Sequence, residues 1–145
     1  MTEEAQLVIM LRNGATGFLE TEYAAIPLSE VGDLEPLLVN VFAQQDGDRT
    51  DIHMKISTDK DVEDWQFSAI YDYYDTEVFA EMASVSELDD VFNPTWELVF
   101  ASPDVGTGAA ELASKVRGLL DIHSRELADT LVAIAGRESE YSYDN

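Results

Sequence analysis

Cysteine is absent from the 145 residues, and histidine occurs only 2 times. The missing thiols remove disulfide scaffolds, cysteine-ligated zinc sites and thiol nucleophiles from consideration. Two imidazoles are too few for a histidine-rich metal cluster. Basic residues are scarce as well: 8 Lys and Arg face 30 Asp and Glu, a formal net charge of −22. Without clusters of Lys and Arg, nothing can displace counterions from a phosphate backbone, so direct nucleic-acid binding is not expected. Anionic membrane surfaces are disfavoured on the same ground. Long apolar runs are missing too; a stretch such as Leu7 to Leu11 falls far short of the roughly 20 residues that span a bilayer. Met1-Thr2-Glu3-Glu4 carries acids where a secretory signal needs positive charge, and no transit peptide or lipidation motif is visible. A soluble, cytoplasmic protein is the expectation, and the lack of cysteine suits a reducing compartment.

What is present suffices for a core. Hydrophobic residues make up 46% of the chain, and the length suits one domain. No repeat, low-complexity tract or Pro/Gly/Ser-rich linker divides it. Ala5 to Arg12 alternates Leu7, Ile9 and Leu11 against Val8 and Met10, and Asn13-Gly14 signals a turn into a second strand from Phe18 to Ile26. In that strand Glu20 and Glu22 share a side with Phe18, which suggests an exposed edge. Asp33 is a plausible N-cap with Pro36 in the first turn. Leu34, Leu37, Leu38, Val41 and Phe42 then follow helical spacing. Asp46-Gly47-Asp48 ends that element, and Ile52, Met54 and Ile56 alternate as a half-buried strand.

Trp65 to Tyr74 places Trp65, Phe67, Ala69, Tyr71 and Tyr73 on alternate positions, the pattern of an aromatic strand. Thr76 to Met82 leans to strand, Ser86 to Phe92 to a short helical turn stopped by Asn93-Pro94, and Thr95 to Ala101 to strand. From Gly108 to Ala135 the period turns helical. Leu112, Val116, Leu119, Leu120, His123, Leu127, Leu131 and Ile134 fall in one stripe, and Gly136 is placed to close the helix. Opposite charges four residues apart at Glu111/Lys115, Arg117/Asp121 and Arg125/Asp129 support it. The expected fold is α+β: an antiparallel sheet of about five to six strands in ββα-β-β(β)β-α order, with a short helix and a long C-terminal helix packed on one face. Residues 1–138 form the single domain and 139–145 a flexible polar tail.

The motifs that could carry chemistry fall short. Asp46-Gly47-Asp48-Arg49-Thr50-Asp51 resembles a calcium loop, but its sixth and twelfth places hold Asp51 and Ser57 instead of Gly and Glu. Paired carboxylates near Asp59–Asp64 would suit a glycosidase only at a fixed separation in a cleft. Gly106-Thr107-Gly108 lacks the Gly-Lys-Ser/Thr of a phosphate loop and the third glycine of a dinucleotide fingerprint. His53 and His123 have no nucleophile-elbow motif to join. No catalytic residue, cofactor or metal is assigned, and the expectation is a non-enzymatic protein.

The distribution of charge is more informative. Residues 1–58 hold 10 acids and 3 bases, residues 59–110 hold 13 acids and one base, and residues 111–145 hold 7 acids and 4 bases. No Lys or Arg occurs between Lys60 and Lys115. Salt adaptation predicts acids on every exposed face, and solubility alone needs no partner. A regional excess instead suits a surface that steers and selects a basic protein. In charge and size the chain can be compared with nucleic-acid mimics, anti-restriction proteins and immunity proteins. The candidate surface comprises Asp59, Asp61, Glu63, Asp64, Asp72, Tyr74, Asp75, Glu77, Glu87, Asp89 and Asp90, where aromatics beside acids would receive Arg by cation–π and ionic contact.

Overall fold

The computed structural model describes residues 5–12, 15–46, 49–103 and 109–141. Six strands form one sheet: Gln6–Arg12 (β1), Leu19–Pro27 (β2), Leu38–Asp46 (β3), Arg49–Ser57 (β4), Ser84–Leu88 (β5) and Thr95–Ala101 (β6). Their order is β2-β1-β3-β4-β6-β5, and every neighbouring pair is antiparallel except β1 with β3. Two α-helices, Asp64–Tyr73 (α1) and Ala110–Ile134 (α2), complete the α+β fold.

The alternation at Leu7, Ile9 and Leu11 yields β1, which pairs with β2 as a hairpin; the Asn13-Gly14 turn itself lies outside the described residues. β2 is an outer strand, where an acid such as Glu22 reaches solvent. Ile52, Met54 and Ile56 on β4 and Trp96, Leu98 and Phe100 on β6 are buried against the helices.

The expected helix from Asp33 to Phe42 is not there. Two 3-10 turns, Leu28–Glu30 and Gly32–Leu37, precede β3 instead. The run Val41, Phe42 and Ala43 is buried throughout. That continuity mimics a helical face, yet it arises because Val41 and Ala43 face the core while Phe42, on the other side, is covered by the Arg12 and His53 side chains.

The segment Trp65 to Tyr74, expected as the aromatic strand, is α1. Its buried positions are Ala69 and Ile70, and Tyr74, the C-cap four residues after Ile70, is buried beside them. Glu63 and Gln66 form a capping box, with Gln66 Oε1 accepting from the Glu63 N–H at 2.8 Å. Thr76–Phe79, expected to lean to strand, is a 3-10 turn whose Asp75 side chain caps the Glu77 N–H. The helical turn expected at Ser86 to Phe92 is replaced by β5, which ends at Leu88. A five-residue edge strand with serines at Ser84 and Ser86 carries too little periodicity to declare itself.

α2 meets the expectation most closely. Leu112, Val116, Leu119, Leu120, His123, Leu127 and Ile134 are all buried, each large aliphatic being worth about 1.5–3 kcal/mol of apolar burial. Leu131 is the exception at 39% exposed, its place inside taken by Thr130. Of the three expected charge pairs, Arg117–Asp121 closes to 3.4 Å. Gly136, at φ +81°, follows the helix in the left-handed conformation that favours glycine. The expected polar tail begins at residue 139, but residues 139–141 are structured together with Glu138. They form a 3-10 turn that docks on α1, with the Tyr141 hydroxyl 2.8 Å from Asp72 Oδ2 and Arg137 lying over the Tyr73 ring.

Candidate partner-binding face

The acidic loop before α1 is held by a side chain from the loop after β5. Asn93 accepts the Val62 N–H through Oδ1 at 3.1 Å and donates through Nδ2 to Asp61 Oδ1 at 3.0 Å. Thr58 Oγ1 donates to the Lys60 carbonyl at 2.7 Å, tightening the same loop. Glu63 accepts a hydrogen bond from Trp65 Nε1 at 2.7 Å, so its carboxylate is fixed beside an indole. Asp64 opens α1, where the helix dipole favours a negative charge.

One turn from the end of α1, the Tyr71 hydroxyl donates to the Leu88 carbonyl and accepts from the Thr95 N–H at 2.9 Å. This locks the helix to the end of β5. The Tyr71 phenol is pushed up from its ordinary pKa, first by burial and then by the carboxylates of Glu87 and Asp89. Tyr71 therefore links α1 to the acids at the end of β5 and just beyond it. Asp59, Asp61 and Glu63 on the loop, Asp64 at the start of α1, Glu87 on β5, and Asp89 and Asp90 just after it are all exposed. The sequence separates these groups by more than twenty residues, and Asn93 and Tyr71 bring them together.

The remaining candidates lie elsewhere. Asp72, Asp75 and Glu77 stand at the opposite end of α1, about 14 Å along an axis rising 1.5 Å per residue. Asp72 accepts the Tyr141 hydroxyl, whose pKa is pushed up to about 12 mainly by that bond. The Asp75 N–H donates to Glu126 Oε2 at 3.0 Å, tying this second group to α2. Tyr74 is not on a surface at all. It is buried, stacked on Trp96 at 4.2 Å, with its hydroxyl 2.8 Å from His123 Nδ1.

Phe92 was missed as a candidate. It is 79% exposed, directly after the Asp89-Asp90-Val91 run and directly before the anchoring Asn93. The signal was present in the sequence: an aromatic between two acids and the Asn93-Pro94 stop belongs to a loop. Assigning the segment to a helical turn hid it. A large apolar ring left in water on the loop that carries Asp89 and Asp90 has the exposure of an interface anchor.

Other chemistry finds less support. Among the described residues no group of three or more His, Asp or Glu could hold a metal ion. The Gly47-Asp48 part of the calcium-like motif and Gly106-Thr107-Gly108 lie outside the described residues. A cavity of about 500 Å³ between α2 and the end of β6 has one carboxylate, Glu111, among its lining residues Met82, Ala101, Pro103, Ser114, Lys115 and Gly118. Among the described residues it holds no carboxylate pair of the kind glycoside hydrolysis requires. No described helix is long and apolar enough to cross a membrane.

Asn93→Ala is expected to cost about 1–2 kcal/mol, because it strands the half-buried Val62 N–H and releases Asp61. Urea unfolding measures this, and a change below about 0.5 kcal/mol would show that Asn93 does not pin the loop.

A family model described as "Family of unknown function (DUF6762)" matches residues 2–142. No curated protein and no solved structure matches the chain.

Proposed function

The chain belongs to the DUF6762 family, a family of unknown function, and from that premise we propose that it is a non-enzymatic binding protein for a basic protein partner. The binding surface is the face built by the 59–64 loop, the start of α1 and the 87–92 loop. The observation that carries this reading is Phe92, an exposed ring flanked by two acidic loops that share one anchor in Asn93. An arginine stacked on that ring would gain cation–π attraction while its guanidinium meets carboxylates, a combination worth about 0.5–2 kcal/mol beyond charge alone. Lys60 is the only base among residues 59–110, so little on this stretch opposes an incoming cation. The cytoplasm is the setting we propose, with no direct contact to nucleic acid or membrane.

The test is calorimetric titration with a synthetic arginine-rich peptide at low and moderate salt. The quadruple variant Asp59→Asn/Asp64→Asn/Asp89→Asn/Asp90→Asn is expected to weaken binding at least tenfold, about 1.4 kcal/mol. Phe92→Ala alone should cost several-fold. The control, Glu30→Gln/Asp33→Asn/Glu35→Gln/Asp129→Asn, removes the same number of charges from exposed positions elsewhere. Equal weakening by the control would mean that the peptide sees only total charge, and the assigned face would be wrong.

A further inference from the structure

The two α-helices cover one face of the sheet, and among the described residues no helix covers the other. The registers Met10↔Phe42, Phe42↔His53 and His53↔Val99 place these residues in one row across the uncovered side. There the Arg12 guanidinium lies 4.1 Å over the Phe42 ring, and His53 stacks against the same ring at 4.8 Å with the planes 6° apart. His53 Nδ1 is 3.4 Å from Glu97 Oε1. Phe42 is thereby only 6% exposed although no helix lies over it. Toward β2 the face becomes apolar and open, with Val8, Leu19 and Val39 at 43%, 46% and 55% exposure.

We propose that this uncovered sheet face is where two copies of the chain associate about a two-fold axis. Charge decides the occupant. By register, Arg12, Arg49 and Lys55 on this face stand against Glu22, Asp46, Asp51 and Glu97, an excess of one acid in a chain of net charge −22. Two such chains repel one another less through this face than through the acid-rich stretch 59–90, which holds one base.

Arg49 is paired with Asp51 at 3.0 Å, which leaves Arg12 and Lys55 to be considered. Among the described residues neither Arg12 nor Lys55 has a carboxylate within ion-pair distance, and Arg12 Nε is shielded from solvent without a hydrogen-bond partner. A two-fold axis makes any match between a base of one copy and an acid of the other occur twice. Six strands about 4.8 Å apart give a width of roughly 24 Å, on the scale that supplies the ~800 Å² per partner of a standard interface.

Analytical ultracentrifugation of the full chain tests this. The expected species has twice the 16.1 kDa chain mass. Its association should strengthen at least tenfold between about 0.05 M and about 0.5 M NaCl, because screening relieves the repulsion between like-charged copies. Val8→Glu/Val39→Glu is expected to weaken association at least a hundredfold. Val39→Glu alone, at an exposed position on a β-bulge, is the variant whose folding is least at risk, and it should weaken association at least tenfold. A monomer at about 100 μM in the higher salt would overturn the proposal, as would a dimer indifferent to both variants. The salt response also separates this contact from the acidic face: self-association strengthens with salt, while binding of a basic peptide weakens.

Discussion

Trp96→Ala is expected to lower the unfolding free energy by about 3–5 kcal/mol, a large share of the 5–15 kcal/mol available to a domain of this size. Trp96 is fully buried on β6, between β4 and β5, with Ile56 and Glu87 as its direct cross-strand neighbours. Its ring stacks on Tyr74 at 4.2 Å and meets Tyr71 and His123 edge-on, each at 5.5 Å. Those three residues come from α1, its C-cap and α2, so a single side chain joins both helices to the sheet. Truncation leaves a void bounded by three elements that are each held elsewhere and cannot collapse together.

Trp96→Phe should cost less than half as much. The indole Nε1 is buried without a hydrogen-bond partner, so the phenyl ring removes an unsatisfied donor along with some packing. Urea unfolding followed by circular dichroism reads both variants. If Trp96→Ala unfolds within about 1 kcal/mol of the wild type, the aromatic junction is not what holds α1 to the sheet.

That junction also marks the limit of what the sequence discloses. Strands with one face on the core, such as β4 with Ile52, Met54 and Ile56, announce themselves because their period matches their burial. α2 does the same over seven turns, where phase errors would have accumulated and did not. β3 and α1 defeat periodicity for opposite reasons. β3 is buried on both faces, so three consecutive residues are inside, and a run of that kind resembles one side of a helix. α1 carries aromatics on alternate positions, yet Trp65 and Phe67 are only half-buried and Tyr73 is exposed at the helix end. The local evidence for a helix lay in Glu63 and Gln66, three residues apart, and tertiary contacts enforced it.

The same difference governs the candidate face. Its acids could be counted along the chain, and ten of the eleven named residues are exposed. Their grouping could not, because it depends on an amide from residue 93 and a phenol from residue 71 reaching across the fold. Tyr74 was misplaced for the reason that α1 was misread. On a strand it would share a face with Asp72, whereas on the helix it turns inward to His123.

His123 makes stability depend on acid. Its Nε2 lies 2.7 Å from the Ser57 carbonyl, which can only accept, so Nε2 carries the proton. Nδ1 is then the acceptor for the Tyr74 hydroxyl, and the ring is neutral with both nitrogens engaged. Burial pushes its pKa down from 6.5 to about 4, with the Ser57 bond opposing in part. Between those two values the unfolded chain holds a proton that the folded chain does not. Stability therefore rises with pH across the window; the contribution is complete above 6.5 and lost as pH falls to about 4. The shift corresponds to about 3 kcal/mol at 1.36 kcal/mol per unit.

The 30 acids work in the opposite direction near the lower end of this window, since protonating them relieves the repulsion of a −22 chain. The raw acid denaturation curve consequently mixes two effects, and a comparison separates them. His123→Gln keeps every carboxylate but cannot take up a proton. It is expected to cost about 1–3 kcal/mol at pH 7, where the two buried bonds are perturbed. The gap to the wild type should then close as the pH is lowered from 6.5 to 4, because only the wild type pays for charging a buried ring. Parallel stability curves for the two proteins across that range would show that His123 does not titrate in the fold as its burial requires.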